Sequence, residues 1–166
     1  MTEIFFISDL HLGHNNMYKF TNADGSRVRP WAENADEGDR IMIKNWNSVV
    51  GENDKVYVVG DVAIPRKSIH IMGALKGKKC LIKGNHDIFK LADYTPYFYD
   101  IRGSHKIDKY VITHIPIHPD SLARWCDGNI HGHVHNNSLK DKRYINVSVE
   151  VINQTPISFE ELKNKK

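Results

Sequence analysis

The sequence of 166 residues has little cysteine, no long apolar stretch and a net charge of only +3. Its two cysteines, Cys80 and Cys126, are too few for a disulfide scaffold. No apolar run approaches the ~20 residues that cross a bilayer, and the first one, residues 4–7, is too short for the core of a signal peptide. The small positive charge does not by itself indicate a nucleic-acid partner. We therefore expect a cytoplasmic protein without a membrane partner.

The composition is that of an ordinary globular protein, with 40% hydrophobic and 26% charged residues. The chain shows no repeat of fixed period, no low-complexity tract and no linker rich in Pro or Ser. Its length fits one domain better than two. We expect a single domain over residues 1–166, with a frayed tail at roughly residues 163–166.

Strand and helix signals alternate in the first half of the chain. Apolar runs at residues 4–7, 56–59 and 80–82 predict buried strands, and residues 36–50 and 68–75 have the spacing of helices. Such alternation is typical of an α/β fold with a mostly parallel sheet. In sheets of this kind, ligands bind at the carboxyl ends of the strands.

The second half of the chain has mainly strand signals. Residues 107–113 predict one strand, residues 130–131 a short strand, and residues 144–152 a longer half-buried strand with alternating side chains. Ser158 and Glu161 have the spacing of a capping box, which predicts a final short helix.

Ten histidines are the unusual feature of the composition. Many of them stand with Asp and Asn directly after predicted strands. If those strands are neighbours, their polar residues meet at one edge: Asp9, His11, Asp61, Asn85, His86, Asp87, His114, His133 and His135.

This donor set is too large for one cation and suits two. Carboxylates and imidazoles together favour divalent ions such as Mn, Fe, Zn or Ni, and the lack of nearby thiolates argues against a structural zinc site. Two cations need a bridging anion, and Asp61, on the middle motif, is the natural bridge. Paired ions roughly 3.5–4 Å apart are the usual device for in-line phosphoryl displacement.

Each motif taken alone has a structural interpretation. Asp9 and His11 fit a turn at a strand end, Asp61 after Gly60 fits a turn, and His133 and His135 fit a solvent-exposed loop. Their joint occurrence favours the metal site.

The series Asp9-x-His11, Gly60-Asp61, Gly84-Asn85-His86-Asp87, His114 and Gly132-His133-x-His135 resembles the calcineurin-like metallophosphoesterase family. Order and approximate spacing both match, and the resemblance is to small bacterial and phage-type members. It implies a two-sheet sandwich with helices flanking both sheets. It also implies a dinuclear metal site at the carboxyl ends of the strands.

The resemblance also implies roles for the individual residues. The first metal would be held by Asp9, His11 and His135. The second would be held by Asn85, His114 and His133. Asp61 would bridge the two ions, with Mn expected first and Fe, Zn or Ni as alternatives. His86 would protonate the leaving oxygen or stabilise developing charge, and Asp87 would support the His86 ring.

The implied activity is metal-dependent hydrolysis of phosphate esters, with a metal-bridging hydroxide as the nucleophile. The Gly-Asn-His-Asp motif favours a phosphodiesterase acting on a small nucleotide-type substrate. Alternatives are a phosphomonoesterase, a nuclease or end-processing phosphatase acting on nucleic acid, and a non-catalytic metal-binding scaffold. The physiological substrate and the oligomeric state stay open. We expect loops 21–34 and 117–128 to set substrate choice.

Several further residues are candidates for binding the substrate. Asn85 would neutralise phosphate oxygens alongside the metals. His14 follows Gly13 near the first motif, and Arg29 and Arg124 each stand near a tryptophan, so each could clamp a phosphate. His118 has a similar interpretation. Surface or packing roles are the competing interpretation for His14, His118, Arg29 and Arg124.

Overall fold

Two β-sheets form the centre of the structure, a computed structural model that describes residues 2–122 and 124–164. The first sheet has the strand order β4-β3-β2-β1-β9. Its strands are β1 (Ile4–Ile7), β2 (Lys55–Val58), β3 (Lys78–Ile82), β4 (Asp100–Arg102) and β9 (Ile157–Ser158). Strands β1 to β4 are mutually parallel, and β9 pairs antiparallel with β1. The predicted parallel sheet is therefore confirmed, with one antiparallel edge strand.

The second sheet has four strands in chain order. They are β5 (Ser104–Ile107), β6 (Tyr110–Thr113), β7 (Gly128–His131) and β8 (Tyr144–Asn146). β5 pairs antiparallel with β6, whereas β6, β7 and β8 are parallel. The carboxyl ends of β6 and β7 therefore lie on the same edge of this sheet.

The described residues also form three α-helices and three 3-10 helices. The α-helices are α1 (Ala35–Val49), α2 (Leu91–Tyr94) and α3 (Phe159–Asn164). The 3-10 helices span Asn15–Tyr18, Arg66–Ala74 and Pro119–Ser121. α1 begins after Asn34, whose side chain accepts a hydrogen bond of 3.0 Å from the Glu37 backbone N–H and so caps the helix. Within the described residues, no helix has the length and hydrophobicity needed to cross a lipid bilayer.

One apolar core joins the two sheets. Phe6 of β1 and Ile112 of β6 belong to the same buried cluster, together with Trp46 of α1. The Phe159 ring, at the start of α3, contacts Phe6 on the first sheet and Tyr110 on the second. This mixed α/β arrangement of two sheets is compatible with the predicted sandwich, and the flanking of both sheets by helices stays a prediction.

Three predicted elements differ in the structure. Residues 107–113 form a hairpin and not one strand, because the chain reverses at Asp108, which has a φ of 50°. The predicted strand over residues 144–152 ends at Asn146, whose side chain accepts the Ser148 backbone N–H at 2.9 Å and turns the chain. The predicted helix over residues 68–75 is the 3-10 helix Arg66–Ala74.

α3 continues to Asn164 and so includes Lys163, the first residue of the expected frayed tail. Fraying of this tail stays a prediction. The remainder of the predicted tail, residues 165–166, lies outside the described residues.

Candidate metal centre

The ends of the parallel strands bring the first three motifs together. Asp9 follows β1, Asp61 follows β2 and Asn85 follows β3, and these strands are adjacent in the sheet. The Asp9 backbone N–H donates to Gly60 O at 3.0 Å, and the His11 backbone N–H donates to Asp61 O at 3.0 Å. The loops after β1 and β2 are therefore hydrogen-bonded to each other as well as to the sheet.

The second sheet supplies the remaining histidines. His114 follows β6, and His133 follows β7. The Gly132 N–H donates to His114 O at 3.0 Å, and the His133 N–H donates to the Asp9 carboxylate at 2.9 Å. This last bond spans the two sheets, so the strand ends of both sheets form one site.

Left-handed backbone conformations orient the side chains of this site. Five of its non-glycine residues have φ between 47° and 71°: Asp9, His11, Asp61, His133 and His135. Asp and His are among the residues enriched in this region, and the conformation stops a strand abruptly and redirects its next side chain.

Two glycines of the motifs leave room for this packing. A Cβ added to Gly60 would lie 2.4 Å from His114 Nδ1, and one added to Gly132 would lie 2.3 Å from the Asp9 carboxylate. Any side chain at either position would displace a residue of the site, which explains the glycine that precedes Asp61 and His133.

The first group of candidate ligands contains Asp9, His11 and His135, which can each place one ligand atom within 4.8 Å of the others. His11 Nε2 lies 3.8 Å from Asp9 Oδ1, and His135 Nε2 lies 3.9 Å from the same oxygen. Asp9 Oδ1 and both ring nitrogens of His11 are buried without a hydrogen-bond partner among the described residues. Buried polar atoms rarely lack partners, so these atoms fit a cation placed between them.

The second group shares Asp9 and adds Asp61 and His114, with ligand atoms again within 4.8 Å. Asp61 Oδ2 lies 3.5 Å from His11 Nε2 and 3.3 Å from His114 Nε2. The Asp61 carboxylate therefore lies close to one histidine of each group, while Asp9 belongs to both groups.

Asn85 and His133 lie next to the second group. Asn85 Oδ1 lies 3.0 Å from His114 Nε2 and 3.0 Å from His133 Nδ1. His114 Nδ1 donates to Val59 O at 2.8 Å, so a neutral His114 turns the lone pair of Nε2 toward the oxygens of Asn85 and Asp61. A proton or a cation between them would satisfy these three acceptors.

The charges of the site are consistent with a cation-binding role. Burial alone would raise the pKa of Asp61, but the hydrogen bond and charge of His114 outweigh it and hold the pKa below its usual value. Asp9 is also buried, and His11, His114 and His135 together hold its pKa well below the usual range. Both carboxylates therefore remain ionised in a buried setting that needs positive charge.

Glu150 and Arg29 hold residues of the first group in place without belonging to it. His135 Nδ1 donates to Glu150 Oε1 at 3.1 Å, which directs His135 Nε2 toward Asp9. Glu150 is 1% exposed and pairs at 2.9 Å with Arg29 Nε. Burial would raise the pKa of Glu150, but its bonds with His135 and Arg29 hold that pKa below the usual value.

The structure corrects the expected role of Arg29. This side chain is 0% exposed, so it does not face a substrate. Its guanidinium donates to Leu10 O at 3.0 Å and to Asp9 O at 2.5 Å, as well as to Glu150. Arg29 therefore fixes the loop that carries Asp9. Arg124 is exposed in the loop before β7 and does not line the cavity beside the cluster.

The expected support of the His86 ring by Asp87 is also corrected. The Asp87 carboxylate accepts the backbone N–H groups of Gly84, Asp61 and Val62 at 2.8, 2.8 and 3.0 Å. Because both oxygens are engaged in this way, Asp87 positions the loop that carries Asp61. Burial raises the pKa of Asp87, although these three bonds oppose the rise.

His86 remains beside the cluster. Its backbone N–H donates to Asp61 Oδ1 at 2.9 Å, and its exposed ring lies 5.5 Å from the ring of His11. The ring is thus placed to face a ligand at the cluster and not to complete the metal-binding groups.

A cavity of about 610 Å³ opens next to the first group. Its floor includes His11, His86 and His135, and His14 stands at its side, with ring centres of His11 and His14 5.9 Å apart. Part of loop 21–34 lines this cavity, as the expectation of a substrate-binding loop requires. Loop 117–128, with His118, borders a different cavity of about 570 Å³.

Comparison with known proteins gives a relative that matches nearly the whole chain. No protein-family model matches the sequence. The chain is 35% identical over 176 aligned residues to the uncharacterized protein MJ1445 of Methanocaldococcus jannaschii, which covers 96% of this chain and 89% of that protein. The chain belongs to the MJ1445 family.

The chain is also similar to two other proteins. The crystal structure of the protein of unknown function AQ665 from Aquifex aeolicus is 26% identical, covers both chains completely and has a TM-score of 0.76. The gene 66 protein of Mycobacterium phage L5 is 36% identical over 92 residues, which are 52% of this chain and 41% of the phage protein. The MJ1445-family fold described above is therefore shared along its whole length with a solved structure.

Sequence reasoning misses two residues of this site. The alternating pattern over residues 144–152 predicts ordinary strand positions for Glu150 and Ser148, but the Ser148 hydroxyl donates to Asp9 Oδ2 at 2.8 Å. No local motif marks either residue. The signal that identifies them is the buried pairing with Asp9, Arg29 and His135, which only the folded chain reveals.

Proposed function

We propose that this chain is a metal-dependent phosphoesterase with two divalent ions, acting preferably on phosphodiesters of nucleotide type. The observation that carries the proposal is the Asp61 carboxylate lying between His11 and His114, at 3.5 and 3.3 Å. On the side of the first group, Asp9 Oδ1 and both ring nitrogens of His11 are buried with no hydrogen-bond partner among the described residues.

The residues fit a pair of ions. Asp9, His11 and His135 would hold one ion, Asn85, His114 and His133 the other, and Asp61 both. This mixture of carboxylate, amide and imidazole suits Mn²⁺, with Fe, Zn or Ni as alternatives. When bound, such a pair stabilises charge on the phosphoryl oxygens and supplies a nucleophile at neutral pH.

Residues of the chain would supply the other functions that hydrolysis needs. In hydrolysis the oxygen of water forms a new bond to phosphorus, one ester P–O bond breaks, and the departing alkoxide takes up a proton. His86, exposed beside His11, is the residue that would give that proton or stabilise the charge. Asn85 would contribute its amide to the phosphate oxygens, and Asp87 and Arg29 would hold the loops in place.

The first experiment is hydrolysis of a chromogenic phosphodiester and of the matching monoester by the Mn²⁺-loaded protein. We expect a measurable rate on both with a preference for the diester. Asp120→Asn, which changes a carboxylate that is 93% exposed in another loop, serves as the control and keeps the full rate. A protein that binds two ions and hydrolyses neither ester would overturn the proposal in favour of a metal-binding scaffold.

Replacement of His86 tests the proton donor. His86→Ala should keep both metal ions and lower the rate by about 10²–10⁴-fold, the usual contribution of a positioned acid. The loss should grow as the leaving alcohol becomes a poorer leaving group, because such alcohols depend most on protonation. The measurement is a rate series over esters of rising alcohol pKa, with metal content determined in parallel. An unchanged rate on the poorest leaving group would remove His86 from the mechanism.

Replacement of Glu150 tests the support of His135. Glu150→Gln keeps the size of the side chain but weakens the acceptor for His135 Nδ1, so Mn²⁺ affinity should fall about 10–100-fold. Isothermal titration with Mn²⁺ measures this change without reference to activity. Glu52→Gln, at an exposed turn, is the matched control and should bind Mn²⁺ as the unaltered protein does. Equal affinities for the two variants would contradict the role given to Glu150.

A further inference from the structure

The side chains that line the cavity beside the proposed metal site are unusual for an enzyme that binds anionic substrates. Among the described residues that line it, none is a lysine, an arginine or a carboxylate. Its sides are instead apolar, formed by Met17, Phe20, Val28 and Ile64. A site that held several phosphates would need cationic side chains, so this cavity is built for the uncharged part of a ligand.

Phe20 is the most informative of these residues. Its side chain is 48% exposed at the side of the cavity, and its ring meets that of His14 edge to face at 6.0 Å. A large apolar ring left in water beside a polar centre offers a stacking surface to a flat ligand group. His14 also lines the cavity, and its Nδ1 is buried with no hydrogen-bond partner among the described residues.

Amide side chains provide the polar contacts that a heterocycle needs. Asn136 Nδ2 donates to Asn22 Oδ1 at 2.6 Å, which joins the loop after β7 to loop 21–34 at the end of the cavity. Asn137 also lines the cavity. Amides both donate and accept hydrogen bonds and carry no charge, so they suit the edges of a neutral ring.

The volume agrees with a ligand group of moderate size. A cavity of about 610 Å³ falls within the roughly 300–1,000 Å³ of sites that enclose small molecules. His11, His86 and His135 form the border between this cavity and the metal-binding groups. One ligand could therefore place its phosphate at the metals and another of its groups in the cavity.

We propose that this cavity binds the neutral, ring-bearing group of a singly charged phosphodiester, with nucleoside as the chemical class, through stacking on Phe20 and contacts to His14 and the amides. The position of the phosphate in this inference rests on the proposed function. Binding of the ring-bearing group does not depend on it. This cavity selects a small nucleotide diester over a nucleic-acid strand, because a strand would bring further phosphates to a surface without cations.

The test compares two dialkyl phosphodiesters, thymidine 5′-methylphosphate and ethyl methyl phosphate. Both carry one negative charge and primary alkoxide leaving groups, so they differ mainly in the ring-bearing group. We expect kcat/KM to be at least about 100-fold higher for the thymidine ester. Phe20→Ala should lower the kcat/KM of the thymidine ester about five- to twentyfold. Phe20→Trp should retain the preference.

Binding of thymidine to the metal-free protein provides a readout without catalysis. Isothermal titration should detect thymidine binding that weakens about five- to twentyfold in Phe20→Ala. Binding should be unchanged in Trp125→Ala, since Trp125 is 50% exposed but contacts Lys106 away from this cavity.

The two proposals fail in different ways. Equal kcat/KM for the two diesters with no thymidine binding would overturn the nucleoside site and leave phosphoesterase activity standing. Thymidine binding that depends on Phe20, in a protein that hydrolyses no ester, would support the nucleoside site and reject the activity. Tight, strongly salt-dependent binding of an oligonucleotide with no thymidine binding would also overturn the inference.

Discussion

Asp61→Asn should abolish nearly all turnover and reduce the number of bound Mn²⁺ ions below two. The amide keeps the shape of the side chain but removes the negative charge that lies between His11 and His114. We expect phosphodiester hydrolysis to fall by about 10³-fold or more, which corresponds to roughly 4 kcal/mol of transition-state stabilisation. The measurements are the rate on the chromogenic diester and the metal content of the dialysed protein.

The matched control is the exposed Asp120→Asn variant described above. Asp61 also accepts the His86 backbone N–H at 2.9 Å, and an asparagine can still accept that bond through its oxygen. Folding should therefore be preserved, and a circular dichroism melt checks this. Two tightly bound ions in Asp61→Asn would show that this carboxylate does not bridge them.

Arg29→Met should destabilise the fold strongly, in contrast to what a substrate-binding arginine would do. The change leaves the carbonyls of Asp9 and Leu10 without a donor and removes the cation paired with buried Glu150. Removing one member of a buried ion pair costs about 3–5 kcal/mol. For a chain of this length, that loss lowers Tm by about 6–20 °C.

Arg27 provides the control for this experiment. It pairs with Glu33 at 2.9 Å, but the two side chains are 36% and 74% exposed, so Arg27→Met should leave the stability of the fold nearly unchanged. Denaturant unfolding of both variants gives the comparison. If Arg29→Met unfolded as the unaltered protein does and only raised KM, Arg29 would be a phosphate ligand after all.

The sequence predicted the parts of the fold that short-range patterns control. β1 is found at Ile4–Ile7 as predicted, because a short apolar run rich in β-formers stops at the polar pair Ser8 and Asp9. The same reasoning predicted that neighbouring parallel strands would end at one edge. That geometric rule is sufficient to predict that Asp9, Asp61 and Asn85 lie close together.

The parts that could not be predicted depend on side chains that meet across the fold. Arg29 stands near Trp31 in the sequence, which is compatible with either packing or phosphate binding. Its burial is decided by Glu150, 121 residues away. Likewise the alternation over residues 144–152 is that of a strand, yet the Asn146 side chain competes for the Ser148 backbone N–H and ends it.

The left-handed residues of the site limit how it could be moved to another protein. Asp9, His11, Asp61, His133 and His135 owe their directions to backbone conformations that a regular strand or helix does not contain. A designer who grafted only these side chains onto an idealised sheet would aim them elsewhere. The transferable unit is each strand together with the loop that stops it, and such loops can diverge in sequence only where the substitutes tolerate the same turn.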